Sequence, residues 1–331
     1  MKNIIKPRIK SQVVPSMKGL TTEHINLFFK NSCHLDEPFP KVKKDKDRAM
    51  NHANNMLRED AIVKMVNEPS FGMNDDRLRS KWSYVGFKLR NILRTLCPAA
   101  SFFTLTKMAG MTNNYDFITR YWEPSGVLLK EVKLEFKHNH NSIQNLCQFL
   151  ELYDGACKTK YGMMETSYSE FYYDKYLEKY LGTDPELMLL NKPSKEEYLR
   201  NVVDIKYTNP FFRSLYQRKM SIQKTKTQIV KHSMKEYLLS HAPRFNFDKI
   251  KEKIVESQSD KHFLMWDGKD FHLESPVGLD TSTINMSLKS IDGMCFVVDV
   301  KHFCYDIKVR LNWGNNNGIA NPRWKFSFEQ K

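Results

Sequence analysis

KEVKLEFKHN, residues 130–139, is the stretch whose reading decides the fold. At a period of two, Glu131, Lys133, Glu135 and Lys137 fall on one side, and Val132, Leu134 and Phe136 on the other. The alternation predicts a strand with one apolar face and one charged face. The charged face has two readings. It is either a solvated surface of cross-strand ion pairs or the carboxylate-bearing part of a phosphodiester-cleaving site.

The flanking sequence supplies the rest of a sheet. Strands are predicted at 101–108, 115–122 and 127–138, with turns at Gly110 and at EPSG, 123–126. Before them Leu78, Trp82, Val85, Leu89, Ile92 and Leu96 recur at spacings of three and four, the apolar stripe of a core-facing helix that Pro98 stops. After them a helix is predicted from Ser142, with Ile143, Leu146, Leu150 and Tyr153 on one side. The order is helix–strand–strand–strand–helix.

Outside this core, residues 1–20 read as a basic arm, 21–33 and 49–67 as helices, and PKVKKDKDR, 40–48, as a charged connector. EPSFGMN at 68–74 breaks the chain. Residues 165–182 read as an aromatic helix whose tyrosines belong to a core or an interface, and Ser194 with Glu197 as a capping box. Asp267-Gly268 marks a hairpin, and further strands are expected at MCFVVDV, YDIKVRLNW and RWKFSFE, with GNNNG (314–318) as a loop. These breaks divide the chain into an arm and helical extension (1–72), a core (73–182), a basic helical segment (183–260) and a β-rich segment (261–331), the last placed against the core.

The 331 residues carry a formal net charge of +14 with 41% hydrophobic residues, which excludes wholesale disorder and favours a polyanionic partner over a basic protein without one. Nucleic acid is the simplest, DNA before RNA, ahead of a membrane surface. The charge is concentrated on two stretches. Residues 77–94 hold six Lys and Arg and no acid, among them Arg77, Lys81, Lys88, Arg90 and Arg94. Residues 218–235 hold another six, among them Arg218, Lys219, Lys224 and Lys226. Each reads either as a phosphate-contacting face or as a solvated helix surface. No apolar run of 18 residues occurs, so no transmembrane helix is expected, and MKNIIKPRIK lacks the apolar stretch of a secretory leader. The six cysteines form no CxxC pair, which fits reduced thiols inside a cell, and His138, His140, Cys147 and Cys157 match no common zinc spacing. Oligomeric state stays open, a homodimer included.

Asp116 lies early in the second strand, nineteen positions before Glu135. Glu135 and Lys137 are two apart on the third strand, so they share a face about 7 Å apart. A hairpin between the strands brings Asp116 beside Glu135. Two converging carboxylates offer hard oxygens to Mg²⁺, and a neighbouring ammonium stabilises charge on a reacting phosphate. ExK or DxK tripeptides recur at 131–133, 299–301 and 306–308. Only 135–137 combines a preceding helix, an upstream Asp in an apolar strand and a polar HNHN behind it.

This constellation resembles the PD-(D/E)xK superfamily of restriction-endonuclease-like nucleases, with Tyr115-Asp116 in place of the Pro-Asp and Glu135-Phe136-Lys137 as the ExK. KLEFKHN with the later Gln148-Phe149, FYYDKYLEKY, PSKEEYL and VRLNWGNNNGIANPRWKFSF are similar to nuclease-like proteins of giant viruses. The resemblance implies an α/β (α+β) restriction-endonuclease-like core with a helical extension and a β-rich C-terminal segment. It implies catalytic roles for Asp116, Glu135, Lys137 and Gln148, with Asp116, Glu135 and Phe136 holding Mg²⁺ or Mn²⁺. One departure stands out. Many such nucleases add an acid from the first helix, and residues 77–96 contain none, leaving Asp75 or Asp76 as the nearby substitutes. The resulting expectation is a metal-dependent (deoxyribo)nuclease, intracellular and in a host cell or virion if viral. The alternatives are a non-catalytic nucleic-acid-binding protein and a viral assembly protein.

Overall fold

The computed structural model describes residues 48–68, 79–108, 115–146, 148–204, 206–217, 223–315 and 318–331. The basic arm, the helix expected at 21–33, most of the charged connector, Asp75, Asp76, Arg77, Arg218, Lys219 and the middle of GNNNG lie outside the described residues. So do the side chains of Lys81, Lys224 and Lys226.

The chain is mixed α/β and forms two compact units. One ends at Asn141 and resumes over Lys261–Glu274; the other comprises Ser142–Asp260 and Ser275–Lys331. The segment read from sequence as a single β-rich piece from 261 thus contributes to both. Its strands are β1 (Phe102–Lys107), β2 (Phe117–Trp122), β3 (Leu128–His138), β4 (Leu150–Tyr153), β5 (Lys261–Trp266), β6 (Phe271–Glu274), β7 (Asn285–Asp292), β8 (Cys295–Lys301), β9 (Tyr305–Asn315) and β10 (Ala320–Gln330).

In the first unit the sheet order is β1-β2-β3-β5-β6. The first three strands form an antiparallel meander, β5 runs parallel to β3, and β6 returns antiparallel. The β2–β3 turn is EPSG, where Gly126 adopts a φ of 84°, and the β5–β6 turn uses Gly268 at a φ of 102°. Two helices, α1 (Arg48–Asn67) and α2 (Arg79–Arg94), belong to the same core. Ala61, Ile62, Met65 and Val66 of α1 and Val85, Leu89 and Leu93 of α2 pack with Phe117, Tyr121, Val132, Leu134, Phe136 and Leu264. The expected α2 stripe is therefore turned slightly, with Leu93 buried and Ile92 and Leu96 at its margin. Burying each such side chain contributes about 1.5–3 kcal/mol.

Polar contacts lock the helices to the sheet. The Tyr121 hydroxyl donates to the Leu93 carbonyl at 2.6 Å, satisfying one of the last carbonyls of α2. Asn67 pairs with both backbone groups of Leu105 at 2.8 and 2.9 Å, so the β1 edge meets a side chain where a further strand would lie.

The second unit has an antiparallel sheet of order β4-β10-β9-β8-β7. Tyr168, Tyr172, Tyr176 and Tyr180, spaced by four, are buried on its helices, as expected for core tyrosines. Its capping box is formed by Ser167 and Glu170. Ser194 does accept from the Glu197 amide, but the Glu197 carboxylate instead accepts from Asn209 at 3.2 Å.

The helix expected from Ser142 is not formed. Ile143–Asn145 make a single 3-10 turn, and Leu150–Tyr153 pair with Phe326–Arg323 of β10. Ile143, Leu146, Phe149 and Leu152 are all buried, so a three-residue apolar spacing is satisfied by a turn followed by a strand. Pairing with a distant strand overrides the local pattern. Among the described residues no helix is long and apolar enough to cross a membrane.

Candidate active site

The end of β1, the start of β2 and the end of β3 meet at one end of the first sheet, because β2 is antiparallel to both neighbours. Asp116 immediately precedes β2. Its backbone amide donates to the Leu134 carbonyl at 2.9 Å, and its carboxylate accepts from the Phe136 amide at 2.7 Å. Asp116 thereby brackets Glu135 from the neighbouring strand. Among the described residues, then, the sheet does bring the sequence-derived pair Asp116 and Glu135 together.

Glu135 is 8% exposed, and both of its oxygens are engaged. Lys137 lies 2.5 Å from Oε1 and Lys261 lies 2.6 Å from Oε2. Lys137 shares its face of β3 through the two-residue period. Lys261 opens β5 opposite Lys133, two residues before the Glu135–Phe263 pair in the parallel register. It is 126 residues away in sequence and 1% exposed.

α1 supplies two more carboxylates, Glu59 and Asp60, held by Lys107 at the end of β1 at 3.0 and 2.9 Å. Burial, followed by the nearby charges of Lys107 and Asp116, acts on Glu59, and the net effect lifts its carboxyl above the usual range. Burial likewise raises Asp116; the Phe136 amide opposes this and the Glu135 charge adds to it. Burial pulls the Lys261 ammonium down, and the Glu135 carboxylate only partly offsets that. Acids that raise one another in a poorly solvated place, interleaved with lysines, are the electrostatic character of a functional site and also of a structural ion-pair network.

α2 carries no acid, as read from the sequence. The helix that brings acids to this end of the sheet is α1, read from sequence as an extension, and the signal was present. Glu59 and Asp60 directly precede Ala61-Ile62 and, with Met65 and Val66, form a helix face that packs on the sheet. Lys261 had a weaker signal, a lysine opening a strand whose last four residues are apolar.

Gln148 belongs to the second unit, where its amide donates to Glu151 at 3.0 Å. Two of the basic residues read as a nucleic-acid face on α2 have partners within the same unit. Lys88 is ion-paired with Asp270, and Arg90 donates to the Met65 carbonyl at 2.5 Å, satisfying a terminal carbonyl of α1. Arg94 is exposed. The rival tripeptides are engaged elsewhere: Glu131 pairs with Arg120 at 2.5 Å, Asp299 with Lys331 at 3.6 Å, and the buried Asp306 with Lys289 at 2.5 Å.

Among the described residues no three His, Cys, Asp or Glu side chains are grouped as a metal cage. Mg²⁺ needs no such cage, since one or two carboxylates with waters and phosphate oxygens hold it. Asp116 and Glu135 are donors of that chemistry. Their oxygens are shared with a backbone amide and two ammonium groups, so an ion would have to displace a lysine to bind here.

No family model matches the chain, and no curated protein matches it. Among solved structures the chain is similar to the crystal structure of the restriction endonuclease MspI in complex with its cognate DNA, at 9% identity, covering 83% of this chain and 98% of that one, with a TM-score of 0.26. A TM-score of that size fixes no residue correspondence, and the site stands on its own geometry.

Proposed function

We propose that the protein is a metal-dependent nuclease that hydrolyses phosphodiester bonds, DNA in preference to RNA, at the Asp116–Glu135–Lys137 constellation of a restriction-endonuclease-like core. The observation that carries this reading is Asp116 hydrogen-bonded across to Phe136, on either side of Glu135, with the Lys137 ammonium on Glu135 Oε1. Asp116 and Glu135, with the Phe136 backbone beside them, would hold the ion, and Glu59 adds negative charge from α1. A bound Mg²⁺ or Mn²⁺ lowers the pKa of a water ligand and offsets charge on the scissile phosphate. Lys137, 27% exposed in its side chain, leaves Glu135 to meet the phosphate and the attacking water. The buried Phe136 amide keeps Asp116 in place as this happens.

One observation favours a second reading. With both Glu135 oxygens on lysines, the cluster also serves as a structural ion-pair network in a non-catalytic nucleic-acid-binding protein. The experiment measures cleavage of linear, circular, single- and double-stranded substrates in Mg²⁺ or Mn²⁺, and DNA binding in Ca²⁺ or chelator. Asp116→Ala and Glu135→Ala abolish cleavage and leave DNA binding equal or tighter, because each removes negative charge. Lys137→Ala abolishes cleavage with at most a small loss of binding. A protein that binds DNA tightly and never cuts, or cutting that survives both carboxylate substitutions, overturns the nuclease reading.

A further inference from the structure

Lys261 has no part in the site as the sequence presents it. Its side chain is 1% exposed, and its ammonium lies 2.6 Å from Glu135 Oε2. A lysine is rarely buried so completely unless it is paired, and this one meets an oxygen that a metal ion would otherwise use. Lys137, on the other oxygen, is 27% exposed in its side chain and free to swing into solvent. Lys261 opens β5, and the parallel pairing with β3 fixes its backbone. The two ammonium groups therefore differ: one is exchangeable and one is built in.

From this geometry we infer that the site takes a single divalent cation, entering at the Asp116 and Glu135 Oε1 side in exchange for Lys137, while the Lys261 ammonium permanently fills the position of a second. This inference rests on the metal-dependent reading above. Charge balance agrees with it. Glu59, Asp60, Asp116 and Glu135 face Lys107, Lys137 and Lys261, one negative charge in excess when all are ionised. A divalent ion that displaces Lys137 leaves the four carboxylates balanced by Lys107, Lys261 and the ion. A second would leave a large uncompensated positive charge beside a buried ammonium.

The test is calorimetric titration of the full chain with Ca²⁺ and with Mn²⁺, without substrate. Glu135→Gln serves as the control that assigns binding to this site. Wild type is expected to bind one ion that Glu135→Gln loses. Lys261→Met, and independently Lys261→Gln, are expected to bind two. Each variant's folding is checked by circular dichroism. A wild-type protein that binds two ions at this site overturns the inference, as does either folded variant that still binds only one. If neither variant folds, the wild-type stoichiometry decides: one ion upholds the inference and two overturn it. Absence of any Glu135-dependent ion in wild type overturns the metal-dependent reading and this inference with it. Equal binding by wild type and variants overturns this inference alone.

Discussion

The buried pair between Lys261 and Glu135 makes a quantitative demand on stability. Lys261→Met keeps the length of the side chain and removes its charge, leaving Glu135 Oε2 without its partner in a side chain that is 11% exposed. Removing one member of a buried ion pair costs about 3–5 kcal/mol, because the remaining charge is left uncompensated. Glu135 keeps Lys137 on Oε1, so the loss belongs at the low end, about 3 kcal/mol. That corresponds to roughly a hundredfold rise in the opening constant of the first sheet. Glu135→Gln combined with Lys261→Met leaves no buried charge unpaired, and the double variant is expected to recover most of the loss, a coupling of about 1.5–3 kcal/mol. Native-state hydrogen exchange of the β3 and β5 amides is the assay, since those amides report opening of this sheet. A loss below about 1 kcal/mol for Lys261→Met, or a coupling near zero, refutes the idea that this pair is desolvated and mutually dependent.

Three more outcomes follow from the same geometry. Burial and the Glu135 charge raise the Asp116 carboxyl above its ordinary 3.8, so the native state holds this proton more tightly than the unfolded chain and stability falls as pH rises above that value. Asp116→Asn keeps the acceptor for Phe136 and is expected to be more stable than wild type at pH 7 without metal. The difference should vanish on acidification below both pKa values; equal stability at neutral pH contradicts the shift. Arg94→Glu is expected to lower the salt slope of DNA binding by about one with unchanged stability. Arg90→Glu should instead cost about 1.5–3 kcal/mol in urea unfolding by losing the Met65 carbonyl, and indistinguishable effects of the two would show that Arg90 is merely solvated. Leu134→Ala, at a fully buried position, should cost on the order of 2–5 kcal/mol, against little change for the exposed Leu129→Ala.

Much of the first sheet was written in local patterns. The alternation in KEVKLEFKH places Val132, Leu134 and Phe136 in the core and leaves Glu135 and Lys137 together on the other face, because side chains along a strand alternate whatever the rest of the chain does. EPSG and Asp267-Gly268 mark turns whose glycines adopt positive φ, and the strands on either side followed. The juxtaposition of Asp116 with Glu135 needed only an antiparallel hairpin, which a short connection dictates.

The remainder depended on contacts that no local pattern encodes. Lys261 reaches Glu135 only because the chain returns after residue 260 as a strand parallel to β3, in a register that puts Lys261 opposite Lys133. Glu59 and Asp60 reach the same end of the sheet because α1 packs as part of the core, while α2, with the stronger apolar stripe, carries no acid. Arg90 looked like a free cation and turned out to satisfy the end of another helix. Residues 142–153 carry an apolar spacing compatible with a helix, yet pairing with β10 makes their last four residues a strand. In each case the deciding energy is a long-range one, a buried ion pair, a terminal carbonyl or a ladder of backbone hydrogen bonds. Such partners are set by sheet register and helix packing, which come into being only when distant segments meet.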